Sequence, residues 1–186
     1  MDFQQILLLL KFAHVMGAIL WVGGASILTL LCVILDRRGD DQATLTGVSY
    51  VALLGNRVFA PLGMATILSG LLLAWLAGYG FAAWTVLAAV IVVGTFLLGA
   101  LVLGPTCGKA IALWQETGDA SAAIALGRRV LRLVKLDLGG QFAIIALMVL
   151  KPGWVDALLL VPAAILALGA LAYHRGAPAQ GMAQPA

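Results

Sequence analysis

The segment AAWTVLAAVIVVGTFLLGALVL, from Ala82 to Leu103, decides the class of fold. It carries no charged residue, and its apolar residues follow one another without the alternation of a half-buried strand. A helix needs roughly 20 such residues to cross about 30 Å of hydrocarbon. We therefore predict a membrane-spanning α-helix. A transmembrane β-barrel is excluded, because its strands would alternate apolar and polar residues.

The whole chain has the same character as this segment. Of its 186 residues, 63% are hydrophobic and 10% are charged, and the mean hydropathy is +1.08. Soluble domains have about 45–50% apolar and about 25% charged residues. The composition therefore excludes a soluble domain, a disordered protein and a nucleic-acid-binding domain. The predicted fold is an all-α, polytopic transmembrane bundle in contact with membrane lipid.

Five segments meet or approach the length of a membrane span. We predict a single transmembrane domain over residues 1–174 and a disordered tail over 175–186, which is rich in Gly, Pro, Ala and Gln. We expect the third span to end at Gly104-Pro105, a pair that commonly stops helices. The predicted spans are residues 6–35, 58–76, 82–103, 131–150 and 154–173.

Basic residues set the predicted orientation. With the amino terminus outside and the carboxyl terminus inside, most Lys and Arg lie on the inner side, as the positive-inside rule requires. Only Lys11 and Lys151 then lie outside. The basic residues on or near the inner side are Arg37, Arg38, Arg57, Lys109, Arg128, Arg129, Arg132, Lys135 and Arg175.

The segment between spans three and four has two interpretations. Asp119 can cap a helix that begins at Ala120, and apolar residues then form one side of that helix beside Arg128, Arg129 and Arg132. This helix is either a surface helix on anionic lipid or an extension of span four.

The first span carries the most informative polar face. Lys11, His14 and Trp21 share one side of the helix, and Gly17 flanks it. An imidazole at this depth suits haem ligation or proton transfer. The alternative is a neutral histidine hydrogen-bonded between helices, with Lys11 reaching to the outer interface.

A haem site would use His14 as an iron ligand, with Gly17 and Trp21 lining the pocket. His14 is the only histidine predicted to lie within the hydrocarbon. The second ligand is then Met148, at matching depth on span four, or His14 of another subunit in a homo-oligomer, or the position stays open.

Span four carries a second polar group. Asp137 and Gln141 are one helical turn apart and share a face. A carboxylate there requires a cation, for which Arg57 and Lys135 are the candidates. The group is either a buried ion pair between helices or a step in a proton path. Cys32 and Cys107 form no metal-binding motif.

Two motifs carry a family resemblance. KFAHVMGAILWVGGA (Lys11–Ala25) and MVLKPG (Met148–Gly153) resemble a bacterial family of predicted integral membrane proteins, over approximately residues 5–153. More distantly, the first helix, with its histidine and Trp, resembles the CopD-type and HemJ-type proteins. His14 matches the histidine of that helix. The resemblance implies a bacterial inner-membrane protein and, for HemJ, haem b bound through histidine and a porphyrinogen substrate.

These observations favour one functional hypothesis and leave others open. The first is a redox protein that binds haem b and passes electrons to or from a quinone or a porphyrin-like substrate. The alternatives are a cofactor-free, proton-coupled transporter, which would use the intramembrane ionisable groups, and an accessory scaffold.

Overall fold

The structure is a computed structural model that describes residues 2–175, and within that range it contains helices and no strand. Two π-helical turns and one 3-10 turn join some of the α-helices. The α-helices are α1 (Phe3–Arg37), α2 (Asp41–Leu54), α3 (Ala60–Leu76), α4 (Ala83–Leu98), α5 (Gly104–Thr117), α6 (Ala120–Leu150) and α7 (Leu160–His174). The first π-turn is Gly55–Phe59, the second π-turn is Gly99–Leu103, and the 3-10 turn is Ala157–Leu159. The predicted disordered tail, apart from Arg175, lies outside the described residues.

These elements form five continuous helices that are long and apolar enough to cross a membrane, which confirms the all-α transmembrane fold. Several are longer than the predicted spans, because α2 adds turns before span two and α5 adds turns after span three. At 1.5 Å per residue, a 35-residue helix is about 52 Å long and exceeds the hydrocarbon thickness. The five helices are Phe3–Arg37, Asp41–Leu76, Ala83–Thr117, Ala120–Leu150 and Ala157–His174.

The two ends of the bundle differ in charge. At one end Asp36, near the end of α1, accepts a 2.8 Å charged hydrogen bond from Arg128 in the early turns of α6. Three further arginines, Arg37, Arg38 and Arg129, are adjacent in sequence to this ion pair. We name this end of the bundle the basic end. At the other end, the Lys151 ammonium lies over two aromatic rings, 5.3 Å from the Tyr79 centroid and 5.5 Å from that of Trp84.

The prediction that Gly104-Pro105 ends the third helix is wrong. The chain widens into the second π-turn and then continues as α5, and the N–H of Gly104, the first residue of α5, donates to the Gly99 carbonyl. Pro105 enters without a break because a residue in the first turn of a helical segment needs no N–H. The first π-turn has the same design before Pro61, since Ala60 N–H donates to the Gly55 carbonyl.

The segment before span four is an extension of that span. Asp119 accepts a 3.0 Å hydrogen bond from Ala122 N–H and caps α6, as the sequence predicts. This bond and a 2.7 Å bond from the Ser121 hydroxyl lower the pKa of Asp119. From this cap α6 continues unbroken to Leu150, and its early residues Ala123 and Ile124 are buried against Leu45 of α2. The separate surface helix is therefore excluded.

Helix α6 is the centre of the bundle, because it contacts α1, α2, α4, α5 and α7. On the side of α2 and α5 its contacts are apolar. On the side of α7 the two backbones meet directly: a Cβ atom placed on Gly139 would lie 3.0 Å from Cα of Gly169. The apolar cluster consists of Val48, Leu103, Cys107, Ala110, Val130 and Val134.

Candidate functional site

Helices α1 and α3 run antiparallel and place larger side chains of one helix on glycines of the other. We name this the α1–α3 seam. Glycines let two helices approach closely, which is the usual way membrane helices pack in the absence of a hydrophobic driving force. From the basic end outward, the contacts are Phe59 on Gly24, Trp21 on Gly63, Thr66 on Gly17, and His14 on Gly70.

His14 ends the seam and is hydrogen-bonded across it. Its Nδ1 lies 2.9 Å from the Thr66 carbonyl oxygen and 3.3 Å from the Ser69 hydroxyl. The carbonyl can only accept, so Nδ1–H is the donor, and in the neutral ring Nε2 keeps its lone pair. Gly70 makes room for the ring, because a Cβ there would lie 2.7 Å from Cε1.

The other ring nitrogen of His14 faces outward. His14 is half-buried, and Nε2 has no hydrogen-bond partner. Among residues 2–175, the only fully buried side-chain polar atom without a partner is Oε1 of Gln141. Nε2 is therefore not fully buried and borders a space that a water-sized molecule can reach. Its lone pair is available to a ligand from outside α1 and α3.

Gly17 and Trp21 do not line an open pocket, contrary to the sequence prediction. Trp21 is 9% exposed and covers Gly63. Gly17 is buried, and a Cβ there would lie 2.5 Å from the Thr66 hydroxyl oxygen. Both residues hold α1 against α3. Gly63, Thr66, Ser69 and Gly70 are the partners that sequence reasoning did not identify.

The remaining residues named for this site lie on other surfaces or at other levels. Lys11 is exposed. The Asp36–Arg128 ion pair sets the register of α1 against α6 and puts half-buried Met148 at about the depth of His14. By the same register, Lys135 lies about 15 residues, or roughly 22 Å, closer to the basic end than His14 does.

A second polar group lies inside α6. Asp137 and Gln141 are 9% and 3% exposed, and Nε2 of Gln141 donates to Oδ2 of Asp137 over 2.7 Å. Oε1 of Gln141 is fully buried and has no partner. Such an orphaned acceptor is rare, and its known causes are local strain, a catalytic role, and a bound water or ion.

The predicted cation partners of Asp137 are elsewhere. Among the described residues the ion pair is that of Arg128 with Asp36, and neither Arg57 nor Lys135 pairs with Asp137. Arg57 is exposed and lines an open cleft of about 300 Å³ with Ser49 and Asn56. Lys135 lines a cleft of about 350 Å³ beside α7. Both side chains reach outward because charged heads seek the interface.

The family of the chain follows from a comparison with known protein families. Residues 8–152 match the model of a family described as "Predicted integral membrane protein (DUF2269)". The chain belongs to this family. The match includes the α1–α3 seam, the Asp137–Gln141 pair and both π-turns. No curated protein and no solved structure matches the chain.

Proposed function

We propose that this family member binds haem b through Nε2 of His14 and passes electrons to or from a quinone or a porphyrin-like molecule. The observation that carries the proposal is the hydrogen bond from Nδ1 to the Thr66 carbonyl. Metal-ligating histidines commonly donate their other ring N–H to a carbonyl or carboxylate, which fixes the tautomer and the ring orientation. From the resemblance of the two sequence motifs, we propose the inner membrane of a bacterium as its location, with the basic end on the cytoplasmic side by the positive-inside rule.

His14 suits haem as an iron ligand, but the residues around it do not form a pocket for the macrocycle. His14 has the required tautomer and an outward lone pair, whereas Gly17 and Trp21 are used within the seam. Other residues would therefore have to cover the macrocycle. Met148 or His14 of a second copy would supply a further ligand to the iron, or that position would stay open. When bound, haem supplies a one-electron iron couple.

A His14→Ala variant is expected to lose its haem. We would purify the protein in mild detergent after expression with ample haem supply, and quantify haem per chain with a reduced-minus-oxidised spectrum. The matched control is His174→Ala, because His174 is exposed at the end of α7. A His14→Ala protein with full haem content, or a wild-type protein without haem, would contradict the proposal.

A second candidate function is proton-coupled transport without a cofactor. The buried Asp137–Gln141 pair favours it, because an ionisable group inside a membrane bundle commonly marks an ion or proton path. We expect Asp137→Asn to abolish proton flux into liposomes driven by a potassium diffusion potential. Asp41→Asn, at an exposed carboxylate in the first turn of α2, should keep it. Unchanged flux in a folded Asp137→Asn protein would exclude this function.

A further inference from the structure

We propose that Asp137, Gln141 and the second π-turn form a binding site for one Na⁺ ion in the core of the bundle. The inference goes beyond the second candidate function, because it assigns a Na⁺ ion, in place of a proton, to the buried pair of α6. It can be tested by binding alone, whatever the protein transports.

The side chains of the pair present unused oxygen atoms. Oε1 of Gln141 is buried without a hydrogen-bond partner, and Gln141 as a whole is only 3% exposed. Oδ1 of Asp137 also makes no hydrogen bond, yet it is not among the fully buried atoms. It therefore borders a space that a water-sized molecule or a small ion can reach. The two side chains thus offer a carboxylate oxygen and an amide oxygen within one helical turn of each other.

The register of the helices brings the second π-turn to this level. Gly140 faces Thr95 of α4, and Val134 shares an apolar cluster with Leu103. Because α6 runs antiparallel to α4 and α5, Asp137 lies between these two levels, near Gly99. At about 100° per residue, Asp137 is also about 60° from both Gly140 and Val134 around the axis. Its side of α6 therefore faces the second π-turn, which α6 contacts.

The second π-turn adds backbone oxygens that the helix does not use. Gly104 N–H donates to the Gly99 carbonyl, and Pro105 has no N–H. The carbonyl of Ala100 therefore has no donor at either of its helical positions. Interrupted helices in membrane transporters use such freed carbonyls to coordinate Na⁺. Thr95, one helical turn before this π-turn, uses its hydroxyl hydrogen on the Val92 carbonyl.

The donor set selects the charge and the kind of ion. All the groups are oxygen donors, which suit hard cations and not copper or zinc. A single carboxylate neutralises one positive charge, so a divalent ion would leave a net charge in the hydrocarbon. The described residues also contain no cluster of three acidic, His or Cys side chains that would hold a metal ion. A small monovalent cation satisfies these conditions.

The test is equilibrium binding of ²²Na⁺ to the whole purified protein in detergent, competed with unlabelled Na⁺, K⁺ or choline. We expect saturable binding of one Na⁺ per chain that K⁺ and choline displace poorly. Asp137→Asn and Gln141→Leu should each weaken binding by about 10-fold or more, because loss of even an outer-shell partner of a metal site costs about 10- to 100-fold in affinity. Asp41→Asn is the matched control and should bind as the wild type does.

Two results would overturn the Na⁺ site. One is a folded wild-type protein that binds no Na⁺, and the other is a folded Gln141→Leu protein that binds Na⁺ as the wild type does. Gln141→Leu keeps the charge and the approximate size of the side chain, so it covers the case in which Asp137→Asn does not fold. Na⁺ binding without proton flux would reject proton-coupled transport and support the site. Proton flux without Na⁺ binding would support proton-coupled transport and reject the Na⁺ site.

Discussion

A Gly139→Val variant is expected to lose the packing of α7 on α6 and to be the least stable of the single glycine variants. The Cβ atom would lie 3.0 Å from Cα of Gly169 and 3.6 Å from the Ile165 carbonyl oxygen. These neighbours are backbone atoms, so no side chain can rotate away and the helices must separate. Overpacking costs about 1–3 kcal/mol and occasionally more. We expect a cost of at least about 3 kcal/mol, because the contact is backbone against backbone.

The measurement is SDS-induced unfolding of the purified protein, followed by tryptophan fluorescence. Gly94→Val is the matched control, since Gly94 lies inside α4 and a Cβ there meets no atom within 4 Å. The control removes the general effect of valine in a membrane helix. If the two variants unfolded at the same SDS concentration, the close contact of α6 with α7 would not contribute to stability.

A Gly17→Val variant is expected to open the α1–α3 seam and to disturb His14 as well. The added Cβ would lie 2.5 Å from the Thr66 hydroxyl oxygen, which is held by its own hydrogen bond to the Leu62 carbonyl. The same Thr66 supplies the carbonyl to which His14 donates. We expect a loss of about 1–3 kcal/mol in the free energy of unfolding. If haem is bound through His14, its content falls in parallel.

Gly23→Val on the same helix provides the comparison, because a Cβ on Gly23 meets no atom within 4 Å. It should unfold at the same SDS concentration as the wild type and retain the same haem content. Equal stability of the Gly17 and Gly23 variants would show that α1 tolerates a larger residue at the seam. The role assigned to Gly17 would then be wrong.

The sequence predicted the helices better than their ends. The long apolar runs and the Asp119 cap are local features, and both are confirmed. The stop at Gly104-Pro105 is wrong because a π-turn places the proline in the first turn of the next helical segment. A signal was present: GNRVFAP (55–61) and GALVLGP (99–105) share a glycine, four residues, a small residue and a proline. Each pattern begins with a π-turn.

The contacts that each candidate-site residue makes could not be predicted from the sequence, because they depend on which helices pack together. The face of α1 that carries Trp21 and His14 was predictable from helical periodicity, because the residues lie on one chain segment. That Trp21 lies on Gly63 and His14 on Gly70 depends on the rotation of α3. For the same reason an ion pair of Asp137 with Arg57 was a reasonable expectation, although Arg57 turns outward.

By itself, the sequence determined that this protein is an all-α membrane protein with five long apolar helices, because the transfer of apolar residues into lipid depends on composition and length alone. The tertiary structure alone decided that Nδ1 of His14 donates to Thr66, that Gly139 meets Gly169, and that Oε1 of Gln141 is left without a partner. Membrane helices have little hydrophobic driving force between them, so their pairing depends on close steric fit and on hydrogen bonds across helices. Those contacts join residues far apart in the chain, and no local pattern specifies them.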